Sequence, residues 1–384
     1  MFLQKTLQRN LPLVETAFFL HKKEIIPPDT YLIDFDTLRR NAALIRKTGG
    51  EENVRLYFML KQVGRNPDIA RELMHQGYDG AVAVDFREAE RMIDAGIPIG
   101  NVGHLVQIPK AALKRILSAK PEYVTVYSLE KAREIDAVCK DLGLEQKLML
   151  RVIGDSDLLY SGQYGGFPLS ELESVACELK KLCHVRVTGL TSFPCFIFNE
   201  KTRQPEPTPN VGTIQKASEL LTAMGFSMEA KDMPSVTCCA TIPLIRQAGG
   251  THGEPGHGLT GTTPLHAVVD CAEIPAIVYL SEVSHQCGDT AYCYGGGHYR
   301  RSHVQKALIG SSDHGRMLDV EPPTDESIDY YFGLKGQAQV SEGVVMAFRT
   351  QIFVTRSRVA LVGGISEGKP EVIGLYTSGG IRIQ

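Results

Sequence analysis

Two rhythms of hydrophobic positions alternate along the first two-thirds of the chain. Short unbroken apolar runs predict strands buried on both faces, and longer stretches with apolar positions three and four apart predict amphipathic helices. The clearest unit begins at Val54-Arg55-Leu56-Tyr57-Phe58-Met59-Leu60-Lys61, a buried strand that ends on a lysine. Asn66 then caps a helix with Pro67 at its first position and Ile69, Ala70, Leu73 and Met74 on one face, stopped at Gly77. The unit repeats. Residues 80–84 predict a strand, and Asp85 with Glu88 forms a capping box before a helix ending at Gly96. Strands follow at 102–106, 123–127, 148–152, 185–191, 234–237 and 250–254. The helices between them include one capped by Ser128 and ended by Gly143, and one capped by Ser170 with Glu173. Counted from the Lys61 strand, this makes eight strands with helical partners. Right-handed crossovers between parallel strands at that repeat predict an α/β fold, a (β/α)8 TIM barrel.

Upstream, residues 1–27 read as an amphipathic helix and linker halted by Pro27-Pro28, expected to pack on whatever follows the barrel. Tyr31-Leu32-Ile33-Asp34-Phe35 is a short strand, and Leu38, Ala42 and Ile45 follow at helical spacing. After about residue 270 the helical period fades. Strands are expected at 276–280, 291–294, 337–340, 351–355 and 359–362, between Gly, Pro and Ser clusters. The expected organisation is an N-terminal segment 1–27, a barrel over 28–270, and a smaller antiparallel β domain over 271–384.

Composition narrows the partners more than the fold. A formal net charge of -3 gives no reason to expect nucleic acid or an anionic membrane surface as a partner. Nine cysteines, odd in number and scattered through apolar segments, favour reduced thiols and a cytoplasmic setting over a disulfide framework. No apolar run has the length of a signal peptide core or of a membrane span.

Candidate chemistry lies at the strand ends. In α/β barrels the reacting groups sit at the C-terminal ends of the strands, where Lys61 stands. A desolvated amine there acts as a nucleophile toward an aldehyde, although a strand-terminal lysine reaching for water is a common sight. The loops after strands seven and eight, the usual phosphate site of this fold, hold Cys238-Cys239-Ala240-Thr241 and Glu254-Pro255-Gly256-His257-Gly258. Small residues let backbone N–H groups approach an anion, and a helix begins near Thr241; the plain alternative is a pair of glycine-rich turns. An amine at strand one and a phosphate cradle at strands seven and eight together suit pyridoxal 5'-phosphate. Glu254 is then placed to hold the pyridine nitrogen protonated, the alternative being a carboxylate paired with an arginine or capping a turn.

Lys61-Gln62-Val63-Gly64, the Gly77-Tyr78-Asp79-Gly80 turn with Glu88-Ala89 and Ala95-Gly96, and Glu254-Pro255-Gly256-His257 together resemble the fold-type III pyridoxal-phosphate enzymes. That group holds alanine racemase, the basic amino-acid decarboxylases, and the D-threonine aldolase and D-serine dehydratase branch. The match looks nearest to the bacterial YhfX-type proteins and covers nearly the whole chain. The resemblance implies a barrel of the alanine racemase type and an enzyme acting at the α-carbon of an amino acid, as a racemase, decarboxylase or lyase. Lys61 would bind the cofactor's aldehyde and act as one acid/base. Glu254 would meet the pyridine nitrogen, where alanine racemase has arginine, and Gly256, His257, Cys239 and Tyr376 would lie about the phosphate. Tyr294 would be the opposite-face acid/base supplied by the partner subunit of a homodimer.

The pattern departs from the family at two places. The histidine commonly stacked on the ring after strand six is replaced in Gly189-Leu190-Thr191-Ser192-Phe193, which offers Ser192 or Phe193. The arginine that racemases direct at the cofactor's phenolic oxygen corresponds to Gln163. Both argue against a plain alanine racemase. Two rival readings are a cofactor-binding carrier without turnover and a metal-dependent barrel hydrolase. The second would use His285, Cys287, Cys293, His298 and His303, whose spacings of two, six, five and five fit no standard zinc pattern, so no metal is expected.

Overall fold

The structure, a computed structural model, describes residues 2–384. The chain folds into two compact units. One is built from Ile45–Leu60 and Pro67–Gly256; the other gathers the chain up to Leu44, the short stretch Lys61–Asn66, and His257–Gln384.

The first unit is the barrel. Its strands are Arg55–Met59, Gly80–Ala83, Ile99–Val102, Tyr123–Val126, Gln146–Ile153, Val185–Thr191, Ala230–Asp232 and His252–Gly253. Each pairs in parallel with the next, and the eighth pairs with the first, so the ring closes. Tyr57, Met59, Val82, Tyr123, Met149 and Ala230 fill its interior. Gly100 is required there, because a Cβ at that position would lie 2.1 Å from the Tyr57 ring.

Two strands are displaced from their expected positions. The third ends at Val102 instead of running to 106, because Gly103 turns away with φ of 90° and its backbone lies too close to Thr125 O for any side chain. The seventh is Ala230–Asp232, while the expected 234–237 is a turn. Pro234 lacks a ladder donor, and Ser235 and Val236 both have positive φ, of 103° and 55°. The helix expected from Ser170 begins instead at Leu172, after a single 3-10 turn over Leu169–Glu171. Elsewhere the caps form as their residues dictate. Asp85 accepts from Glu88 N at 2.8 Å, Ser128 accepts from Lys131 N at 3.3 Å, and Gly143 closes its helix in the left-handed conformation.

The second unit is built on a nine-stranded sheet. Strand Thr30–Asp34 lies inside it, antiparallel to Ile277–Cys287 and parallel to Arg358–Gly363, rather than with the barrel segments that follow it in the chain. Six strands, Ile277–Cys287, Gly343–Met346, Lys306–Ile309, Arg316–Val320, Tyr331–Lys335 and Thr290–Tyr294, close into a ring through the first and last of that order. Residues 337–340 are a loop between two of these strands, and the expected strand at 351–355 is a 3-10 turn over Ile352–Val354. The strands at Lys306–Ile309, Arg316–Val320, Tyr331–Lys335, Gly343–Met346 and Glu371–Thr377 lie outside the spans that the apolar pattern predicts.

The N-terminal segment is two helices, Phe2–Arg9 and Leu11–Lys22, where the pattern predicts one. Asn10 breaks them: its side chain caps the second helix through Leu13 N and donates to Asp34 and to Pro275 O. Leu13, Val14, Ala17 and Leu20 pack with Leu32, Val278, Leu280 and Val345 of the sheet in one core. Among the described residues no helix is long and apolar enough to cross a membrane.

Candidate active site

In the barrel unit, buried polar groups collect at the C-terminal ends of the strands. Asp232 is the last residue of strand seven, and Glu254 directly follows strand eight. His104 sits just beyond strand three, brought inward by the turn at Gly103. All three are buried, and one donor-type atom from each lies within 4.8 Å of the others. His104 Nε2 is 3.6 Å from Glu254 Oε2. Thr191 donates to Asp232 Oδ2 at 3.2 Å, and Glu254 N donates to Thr237 Oγ1 at 3.2 Å. Burial raises the Asp232 carboxyl to a pKa of about 6, against the opposing pull of the neighbouring Glu254 carboxyl and of the Thr191 hydrogen bond.

A second buried network adjoins this one. Arg151, fully buried in strand five, donates to Tyr127 Oη at 2.6 Å and to Gln163 O at 2.7 Å. The Tyr127 phenol donates in turn to His104 O, and burial holds that phenol in its neutral form. Phe193 packs edge-on against His104 with centroids 5.6 Å apart, and Tyr160 packs on Phe193 at 5.5 Å. Ser192 points elsewhere, accepting from Asn210 at 3.0 Å and donating to Asp157 at 3.4 Å. Of the two residues offered after strand six, Phe193 is therefore the one beside the acidic cluster. Gln163 contributes its carbonyl to Arg151, so the guanidinium in this neighbourhood is that of Arg151.

Within the turn 238–241 one hydroxyl bridges two backbone groups. Thr241 Oγ1 accepts from Cys238 N at 2.9 Å and donates toward Val236 O at 2.8 Å, so this hydroxyl shapes the loop. Cys239 is partly exposed, and Gly256 is buried. Met59 N donates to Pro255 O at 2.9 Å, tying the end of strand one to the turn after strand eight. Leu60 and Lys61 come next in the chain.

Lys61 itself opens a 3-10 turn, Lys61–Val63, that belongs to the second unit. There Thr350 donates to Gln62 O at 2.9 Å, and Arg65 lies over Phe353 at 5.0 Å. His257 bonds through Nε2 to Thr350 O at 2.9 Å. Burial, with the charges of Arg349 and Lys61 beside it, holds its imidazole well below the ordinary pKa, so Nε2 carries the proton of a neutral ring. Tyr376 is fully buried in strand Glu371–Thr377, and Gly374 leaves the room its phenol needs. Tyr294 ends strand Thr290–Tyr294 with its side chain 38% exposed, while its carbonyl accepts from Ser281 at 2.6 Å.

The histidine-rich stretch is not one cluster. His285 stacks on Tyr292 at 4.9 Å, and His298 bonds to Ser302 at 3.1 Å. Among the described residues the close grouping of His, Cys, Asp or Glu side chains is that of His104, Asp232 and Glu254. Sequence reasoning missed His104, Asp232 and Arg151. Arg151 carried a signal, a guanidinium inside an otherwise apolar buried strand; a lone histidine after Gly103 and an aspartate ending Ala-Lys-Asp carried none.

Comparison with known proteins places this architecture. Residues 33–264 match the family described as alanine racemase, N-terminal domain, and residues 278–372 match YhfX-like, C-terminal domain. The chain is 42% identical over 380 residues, 98% of its length and 98% of the relative's, to the uncharacterized protein YhfX of Escherichia coli (strain K12). Among solved structures, D-threonine aldolase from Filomicrobium marinum aligns with a TM-score of 0.68 at 15% identity, covering 93% of this chain and 95% of that one. Alanine racemase of Clostridium difficile 630 in complex with cycloserine aligns at 0.64 and 19% identity, covering 92% and 99%. Diaminopimelate decarboxylase from Helicobacter pylori aligns at 0.62 and 14%, covering 90% and 93%. At such identities these likenesses concern the fold. The matched domains and the identity to YhfX over nearly the full length together carry the assignment: the chain belongs to the alanine racemase N-terminal domain family, in the form that continues into a YhfX-like C-terminal domain.

Proposed function

We propose that this protein is a pyridoxal 5'-phosphate-dependent enzyme acting at the α-carbon of an amino acid. The observation that carries the reading is the buried acid pair Asp232 and Glu254 at the C-terminal ends of adjoining barrel strands. Buried carboxyl groups need a cationic or proton-donating counterpart, and a protonated pyridine nitrogen is one. The residues therefore fit the cofactor that the family's fold suggests. Lys61 would hold it through the aldehyde and Glu254 would meet its ring nitrogen. The turn 238–241 with Gly256 would present backbone N–H groups to its phosphate, and Phe193 would pack against the ring.

When bound, the cofactor supplies an electron sink for the pair left behind when a bond to the substrate α-carbon breaks. The chain's own residues do the remainder. Glu254 would accept from the ring N–H and so hold on the nitrogen the proton that makes the sink strong. Lys61 Nζ moves a proton at the α-carbon on one face. Tyr294 of a second subunit would serve the other face, which a racemase requires and a decarboxylase does not. Neutral His257 holds Thr350, and through it Gln62, so that the turn carrying Lys61 keeps its shape.

Two measurements test this. Protein reconstituted with pyridoxal phosphate is expected to show the visible absorption of a lysine-linked cofactor, and Lys61→Ala to lose it; a colourless wild type overturns the reading. Incubation with D- and L-amino acids in heavy water is expected to place solvent deuterium at an α-carbon, which a carrier without turnover does not do.

A further inference from the structure

We propose that Asp29 and Tyr279 are positioning residues for Tyr294, acting through the turn Gly295-Gly296-Gly297 that follows it. The inference rests on the reading of Tyr294 as the opposite-face acid/base, and goes beyond it by naming what holds that phenol at the end of its strand.

Tyr294 is partly exposed, so its direction is set largely by its backbone. On the strand side, Ser281 donates to its carbonyl at 2.6 Å, and the Tyr331 ring lies beside its own with centroids 6.1 Å apart. Beyond it, three buried glycines run through a passage that admits no side chain. A Cβ at Gly295 would lie 2.6 Å from Asp329 O, one at Gly296 would overlap Asp29 Oδ2, and one at Gly297 would overlap the Tyr279 ring. Gly296 also has φ of 122°, which only glycine adopts readily. Gly295 N donates to Tyr330 O at 2.7 Å, and the Tyr31 phenol donates to Gly297 O. The turn is tied at both ends, and its middle presses on one carboxyl group.

That carboxyl group is itself braced. Tyr279 Oη donates to Asp29 Oδ1 at 2.8 Å, and Ser357 donates to the same oxygen. Arg358 N donates to Asp29 O at 3.0 Å, fixing a backbone whose φ of 56° is left-handed. Burial raises the acid's pKa, against these hydrogen bonds and the charges of Arg356 and Arg358. An uncommon conformation of this kind persists where its surroundings over-determine it, and here it faces the turn after Tyr294. Tyr31 and Tyr279 are cross-strand partners, edge to face at 5.0 Å. Residues 29 and 31 therefore do more than complete a sheet: they set the exit of the strand that carries Tyr294.

The experiment follows solvent deuterium entering the α-carbon of the amino-acid enantiomer whose exchange Tyr294→Phe slows. Asp29→Ala is expected to lower that rate about tenfold, and Asp29→Asn, which keeps the acceptor and suits a left-handed backbone, to restore it to within about twofold. In a Tyr294→Phe background Asp29→Ala is expected to change nothing further, because the group it places is gone. An equal loss in both backgrounds makes Asp29 a structural residue only and overturns the proposal, as does an unchanged rate in Asp29→Ala. Tyr279→Phe, which removes one hydroxyl and keeps the ring, gives the same comparison if Asp29→Ala does not fold. Absence of exchange in wild type, or a Tyr294→Phe variant that slows neither enantiomer, overturns the functional reading and the catalytic part of this proposal with it. Amide exchange in cofactor-free protein then decides what holds the turn. Protection over 295–297 is expected to fall about tenfold in Asp29→Ala and to persist in Asp29→Asn, and equal protection in Asp29→Ala and wild type overturns the clasp.

Discussion

His252 illustrates how one buried side chain sets a pH response. Its ring lies 2% exposed at the start of strand eight, near the Tyr57 ring at 5.2 Å, with Nδ1 at 2.7 Å from Thr251 Oγ1. Burial, and then the Arg55 guanidinium, lower its pKa from 6.5 to about 4. The folded ring thus binds fewer protons than the unfolded one between those values. Its contribution to stability is complete above about pH 6.5 and is lost as pH falls toward 4, amounting to about 3 kcal/mol. Asp232 acts oppositely in an overlapping range, since its raised pKa favours the fold as pH falls. His252→Asn is therefore expected to flatten the acid limb of the stability profile, read as denaturation midpoints between pH 4 and 7. Residue roles of this kind were unevenly legible. Lys61 stands out because it directly follows an apolar run, and Glu254 because it opens a Pro-Gly turn, so the chain position of each marks a strand end. His104 and Asp232 act through partners far off in sequence, and no local pattern reports such a partner.

Among the elements, the third barrel strand is the one most tightly constrained. Gly100 faces the Tyr57 ring, whose hydroxyl donates to Glu122 at 2.8 Å, and Glu122 is held by both terminal nitrogens of Arg55, at 2.6 and 2.8 Å. The ring is pinned at its far end and has nowhere to move. Gly100→Ala is expected to destabilise the fold by about 1–3 kcal/mol, as overpacking does, visible as a lower midpoint in urea. The eightfold alternation that predicts the barrel was legible because parallel strands are buried on both faces and spell continuous apolar runs. The seventh strand escaped that logic. Ala-Lys-Asp is three residues long and ends in a buried acid, so the apolar pattern moved the strand on to residues whose positive φ values make a turn. The strand at 30–34 was visible as a strand, but periodicity reports burial and not the identity of the neighbouring strand.

For the molecule as a whole, that neighbour matters most. The second unit is assembled from three separate stretches of chain, and Thr30–Asp34 is an interior strand of its sheet. Without it, Arg358–Gly363 and Glu371–Thr377 are cut off from the other six strands. A fragment comprising residues 271–384 also lacks the helical residues Leu13, Val14, Ala17 and Leu20 that complete the core. It is expected to give a poorly dispersed proton spectrum and rapid proteolysis, where a well-dispersed spectrum would show that the C-terminal stretch folds alone.

A ribosome making this chain releases Thr30–Asp34 before the whole barrel, and its two sheet neighbours, at 277–287 and 358–363, only after it. The intervening barrel is complete and free to close first, while an apolar strand waits unpaired. Contacts so far apart in sequence form slowly, and an idle strand edge invites mispairing. The interval between those two events is where the chain is most open to mispairing.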